Sequence, residues 1–113
     1  LETSYDYPSG HTSWGWAVAL VLAEANPGRA GAVLQRGRAY GESRVVCGAH
    51  NASAVEAGRT AAASVVATLH GSPEFRDDLA AMRAEIRALQ GRADPADPGQ
   101  CQTQNALLGL SPY

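Results

Sequence analysis

The chain has 113 residues and a mass of 11.7 kDa, enough for one hydrophobic core and too short for a multi-domain assembly. Apolar residues make up 45% and charged residues 18%, with a net charge of −2, which excludes charge-driven disorder and argues against a basic nucleic-acid binder. All nine basic side chains are arginine, so any chemistry that requires lysine must find it outside this chain.

In chain order, the first predicted helix runs from Thr12 to Ala25, with Trp14, Ala17, Val18, Val21 and Leu22 on one face at helical spacing. Asn26-Pro27-Gly28 stops it. A second helix is expected over 29–46, where Gly37 and Gly41 signal close helix packing or a kink. The third covers 52–70 through Val55, Ala62, Val65, Val66 and Leu69, and Gly71 ends it. The fourth carries the clearest start signal: Ser72 as N-cap, Pro73 in the first helical position and Glu74 in the first turn. It continues through Phe75, Leu79, Met82, Ile86 and Leu89 to Gly91. Residues 93–99 read as a turn, and 93–113 together as an irregular tail held by Cys101. There is no alternating strand pattern, so the expected fold class is all-α. The longest apolar run, Trp14–Ala23, is about half of the roughly 20 residues that span a bilayer, so no membrane span is expected. Residue 1 is Leu and no leader pattern follows it, which places any export signal upstream.

Three groups of residues near helix ends carry chemistry: Pro8-Ser9-Gly10-His11, Ser43-Arg44 and His50. Helix N-termini present unpaired N–H groups and a positive dipole end, which favour an oxyanion. Ser9 adds a hydroxyl, Gly10 allows close backbone approach, and Arg44 supplies a planar fork of donors matched to phosphate oxygens. Two histidines supply a nucleophilic imidazole and a proton donor. His70 reads instead as a helix-terminal side chain bonded to the last carbonyls.

The order and spacing of PSGH and of Ser-Arg, five residues, His resemble the signature of class A non-specific acid phosphatases, within the wider superfamily of type 2 phosphatidic acid phosphatases and vanadium haloperoxidases. The stretch GESRVVCGAHNAS and the run through Gly58-Arg59 to the SPEF helix are similar to secreted bacterial acid phosphatases, and the resemblance covers roughly residues 5 to 90. It implies a helical bundle like that family's core, with 1–113 as the C-terminal portion of one phosphatase domain. It implies His50 as the nucleophile forming a phosphohistidine, and His11 as the general acid that later activates water. Ser9, Gly10, His11 and Arg44 would bind the phosphoryl oxygens, with no metal and no cofactor. Substrates would be phosphate monoesters, with phosphotransfer to alcohols as a further activity, and phosphate or vanadate would bind the same pocket. The resemblance also implies a periplasmic or secreted location and, in that setting, a disulfide between Cys47 and Cys101, with two reduced, buried thiols as the alternative.

The chain departs from the signature twice. The upstream motif containing lysine and an Arg-Pro pair is absent, so the chain reads as part of a larger enzyme whose other part is the N-terminal segment or a second chain. Trp14, Trp16 and the alanine-rich faces are surfaces for that part or for a homo-oligomer. The second departure is Ala54, where the family has an aspartate, by engineering or natural loss. Position 54 is four residues after His50, where a carboxylate could hold the imidazole Nδ1 hydrogen. Judged by the serine hydrolase triad, losing it implies a rate lower by roughly two to four decades, with Asn51 or Ser53 as partial substitutes. The alternatives are a vanadate-dependent haloperoxidase and a non-catalytic phosphate-binding subunit. Integral-membrane lipid phosphatases share the motifs but need apolar spans.

Overall fold

The computed structural model describes residues 6–92 and 96–110. Among these there are five α-helices and no strand: α1 (Gly10–Ala25), α2 (Ala30–Val46), α3 (Ala52–Leu69), α4 (Pro73–Leu89) and α5 (Pro98–Leu108), with a short 3₁₀ turn at Pro27–Arg29. The all-α expectation holds, and the first four helices fall within two residues of the predicted spans.

Local chemistry sets the boundaries. Ser9 is the N-cap of α1, its hydroxyl accepting from Thr12 N at 3.2 Å. Asn51 caps α3 through Ala54 N at 2.9 Å, and Ser72 caps α4 through Phe75 N, with Pro73 in the first turn. The expected irregular tail is corrected over its described part: Asp97 accepts from Gly99 N and Gln100 N, Pro98 opens the helix, and α5 runs to Leu108. Residues 93–95 and 111–113 of that expectation lie outside the described residues. Cys101 does not anchor this segment. Cys47 and Cys101 are both exposed free thiols, so the expected disulfide is not formed, and α5 is tied to α2 by Arg36 donating to Gln104 at 2.6 Å and Gln35 donating to Leu108 O at 3.4 Å.

Helix α1 is central, packed against α2 on one side and α3 on the other, with α4 touching it more lightly. The core is built of small residues: Ala19, Ala23, Ala25, Ala54, Val55, Ala62 and Val66, with Leu79 from α4. Small side chains let the helix backbones come close. A Cβ at Gly37 would sit 2.4 Å from Ala19 Cβ, and one at Gly58 would sit 2.7 Å from Ser9 O. Gly37 and Gly41 of α2, like Gly58 of α3, therefore serve packing. This contact pattern also reverses the predicted inner face of α1. Trp14 is 68% exposed and Val18 is exposed, because the residues facing α2 and α3 are the small ones at Thr12, Ala19 and Ala23.

The large apolar side chains of α1 instead border a groove between α1 and α2, about 590 Å³ in volume, lined by Trp14, Val18, Leu22, Val33, Tyr40 and Leu108 among others. Among the described residues no helix is long and apolar enough to cross a membrane.

Candidate active site

The second motif gets its shape from the end of α2. Helix α2 stops at Val46, and Gly48 adopts φ +72°, the left-handed conformation that lets a chain fold back over a helix C-terminus with little cost only at glycine. Gly48 N donates to Val45 O at 3.0 Å, and the next two amides, Ala49 N and His50 N, both donate to Arg44 O at 2.9 and 3.0 Å. The five residues between Arg44 and His50 are thus one helix-ending turn. They return the histidine to the level of the arginine.

The first motif is fastened to α3 by its main chain. Ser9 N donates to Ala54 O at 3.0 Å, and the Ser9 carbonyl lies against the bare Cα of Gly58. These contacts set His11, in the first turn of α1, opposite His50. His11 Nδ1 lies 3.2 Å from His50 Nε2, with ring centroids 5.4 Å apart and planes at 61°. Both histidines line a surface pocket of about 470 Å³ with Gly10, Trp14 and Tyr40.

The other ring nitrogen of His50 is held by a residue that motif reading missed. Asp6 Oδ1 lies 2.6 Å from His50 Nδ1, and Asp6 Oδ2 accepts from Asn51 Nδ2 at 2.6 Å. A carboxylate on Nδ1 places the hydrogen there and leaves the Nε2 lone pair facing His11. His50 is almost enclosed, with its side chain 9% exposed, whereas Asp6 is 25% exposed. Asn51 and Ser53 do not substitute for the family's aspartate. Asn51 caps α3 and holds Asp6, while Ser53 donates to Asn51 Oδ1 at 2.7 Å. Asp6 belongs to no periodic pattern and is 44 positions from its partner. The available signal was an acidic residue just before PSGH combined with an alanine at position 54.

The remaining predicted site residues divide. The Gly10 and His11 amides open α1, ahead of the helix's own hydrogen bonds, and Gly10 lines the pocket. Ser9 is 0% exposed and is not among the residues lining the pocket; its Oγ accepts from Thr12 N in capping α1, which leaves the hydroxyl hydrogen available to donate. Arg44 lies to one side. Its guanidinium donates to Ser43 Oγ at 3.2 and 3.1 Å and stacks over the Tyr40 ring at 5.6 Å, and Tyr40 is itself a pocket wall.

Away from this pocket, His70 forms a second cluster. Its Nδ1 donates to Val66 O at 2.7 Å, the helix-end bond anticipated from sequence, and its Nε2 meets Glu24 Oε2 at 2.8 Å. With both ring nitrogens facing oxygen acceptors, only the imidazolium satisfies both bonds. The bond to Glu24, followed by that to Val66 O, raises the His70 pKa above its ordinary 6.5.

Residues 1–77 match the family model of the PAP2 superfamily. The chain is 45% identical over 100 residues to an acid phosphatase of Zymomonas mobilis, covering 88% of this chain and 38% of that protein. It is 48% identical over 90 residues to a non-specific acid phosphatase of Providencia stuartii, covering 80% of this chain and 36% of that one. Against a non-specific acid phosphatase of Salmonella typhimurium it is 48% identical over 86 residues, 76% of this chain and 34% of that protein. The chain therefore spans between about a third and two-fifths of the length of these relatives. With two thirds of its length matched and a paired-histidine pocket assembled from the two motifs, this chain belongs to the PAP2 superfamily.

Proposed function

We infer that this chain carries the nucleophile and the general acid of an acid phosphatase that hydrolyses phosphate monoesters through a phosphohistidine. The observation that carries this reading is the contact of His50 Nε2 with His11 Nδ1 at 3.2 Å, while a carboxylate occupies His50 Nδ1. Nε2 then keeps a lone pair and the neighbouring imidazole is within reach to give a proton. In the first step His50 Nε2 bonds to phosphorus, the ester P–O bond breaks, and His11 protonates the departing alkoxide. In the second, His11 takes a proton from water as its oxygen attacks phosphorus, and the P–N bond breaks to release phosphate and neutral His50.

The Gly10 and His11 amides at the α1 N-terminus stabilise the phosphoryl oxygens, as helix starts do for oxyanions. Arg44 joins them by swinging its guanidinium off Ser43 while remaining stacked on Tyr40. Ser9 contributes through its cap, which fixes the first turn bearing both amides. The names of the relatives favour phosphate monoesters over halide oxidation. A periplasmic or secreted location belongs to the same proposal.

The test is hydrolysis of a chromogenic phosphate monoester at acid pH by the intact protein and its His50→Ala variant, with rapid denaturation in alkali to trap an alkali-stable, acid-labile phosphoryl adduct. The expected outcome is a fall of at least about 10³-fold in kcat and loss of the adduct, the scale of removing a nucleophile. An unchanged rate in His50→Ala would overturn the reading.

A further inference from the structure

We propose that Asp6 is the positioning residue for His50, supplying from the segment before PSGH the carboxylate that the resembling family carries at position 54. This rests on the phosphohistidine reading above. Three observations carry it. Asp6 Oδ1 is 2.6 Å from His50 Nδ1, the nitrogen that must bear hydrogen for Nε2 to act. The other carboxylate oxygen is held by Asn51 Nδ2 at 2.6 Å, and Asn51 is fixed in turn as the cap of α3, so the carboxylate is braced at both oxygens. Ala54 is 0% exposed and presents only a methyl group, so its side chain offers no acceptor for the imidazole hydrogen.

The consequence differs from what the sequence alone implies. Alanine at position 54 does not leave His50 without an anion, because Asp6, on the chain entering α1, supplies one at Nδ1. The roughly two-to-four-decade loss expected for an orphaned histidine therefore belongs to an Asp6 variant and not to this chain as it stands. Asn at position 6 would keep a similar shape but would no longer fix the tautomer, since its amide can donate as well as accept.

The experiment is a cycle of four intact proteins: the parent, Asp6→Asn, Ala54→Asp and the double variant, with folding checked by thermal melts. Three readouts are used. For Asp6→Asn, kcat is expected to fall by about 10²- to 10⁴-fold with KM changed by less than about threefold, the signature of a positioning defect. In the double variant, aspartate at position 54 is expected to recover at least about tenfold of that loss, whereas Ala54→Asp alone, with Asp6 still in place, is expected not to raise kcat. In proton NMR of the unliganded protein, a downfield imidazole Nδ1–H resonance that disappears in His50→Ala is expected to disappear also in Asp6→Asn.

A kcat for Asp6→Asn within about twofold of the parent overturns the proposal, as does a His50 Nδ1–H resonance that survives the substitution. Faster turnover by decades in Ala54→Asp alone also overturns it, since His50 would then have lacked its carboxylate. If instead His50→Ala leaves hydrolysis intact, the phosphohistidine reading fails, while the NMR comparison still decides whether Asp6 holds His50.

Discussion

At the scale of single residues, the site depends on a few atoms whose replacement has distinct outcomes. Gly48 is the sharpest case, since its φ of +72° puts any side chain in the left-handed region and the turn it makes delivers His50 to Arg44 O. Gly48→Ala is expected to cost about 1–2 kcal/mol in denaturant unfolding and to lower kcat, because a strained turn displaces the histidine it carries.

His70 makes a separate prediction about pH. Its folded pKa is raised above 6.5 by Glu24 and Val66 O. Its contribution to stability is therefore complete below about pH 6.5 and is lost as pH rises through the raised folded value. Thermal melts across that window should show a falling midpoint in the parent and a flatter profile in Glu24→Gln. The contact joins α1 to the end of α3, and Arg83 of α4 donates to Glu24 O at 3.0 Å nearby, so one glutamate gathers three helices.

At the scale of elements, what could be read from the sequence was whatever a helix announces locally. The caps at Ser72-Pro73 and the stop at Asn26-Pro27 are chemical signals within one turn, and helices α1 to α4 follow them. Helix α5 was missed because none of its residues is buried, so no apolar period marks it, although Asp97-Pro98 is the same kind of start signal as Ser72-Pro73. The inner face of α1 was misread for a complementary reason. Periodicity weights large apolar residues, whereas close helix contact selects small ones, and Ala19 and Ala23 won the interior.

For the site, the two motifs were read through a family resemblance, and each proves to have a local structure behind it: a helix-ending turn between Arg44 and His50, and a cap with a helix start at PSGH. The Asp6 carboxylate was not legible, since its contact with His50 is made across tertiary structure. Helix α4 offers a test of the packing. Leu79 is its one buried side chain among the described residues, and Leu79→Ala should lower the unfolding free energy by about 2–4 kcal/mol while leaving the histidine pocket intact.

At the scale of the whole molecule, the described helices form a slab, 52 × 41 × 19 Å, with a radius of gyration of 16.1 Å against about 13 Å for a compact domain of this length. A thin body has little interior, and its core is alanines and valines with one leucine, Leu79, while Trp14 and Leu107 are exposed. The histidine pocket and the apolar groove share Trp14 and Tyr40, so the chemical face and the greasy face meet along one edge of α1 and α2.

One contact in that arrangement separates two things a residue can do. Ala54 carries no polar side chain, yet its carbonyl accepts the Ser9 amide and so fixes the strip that bears His11. A peptide oxygen is common to all twenty amino acids. The hydrogen bond that addresses the first motif therefore does not depend on which side chain residue 54 carries, and what limits that side chain is the close packing around a fully buried position.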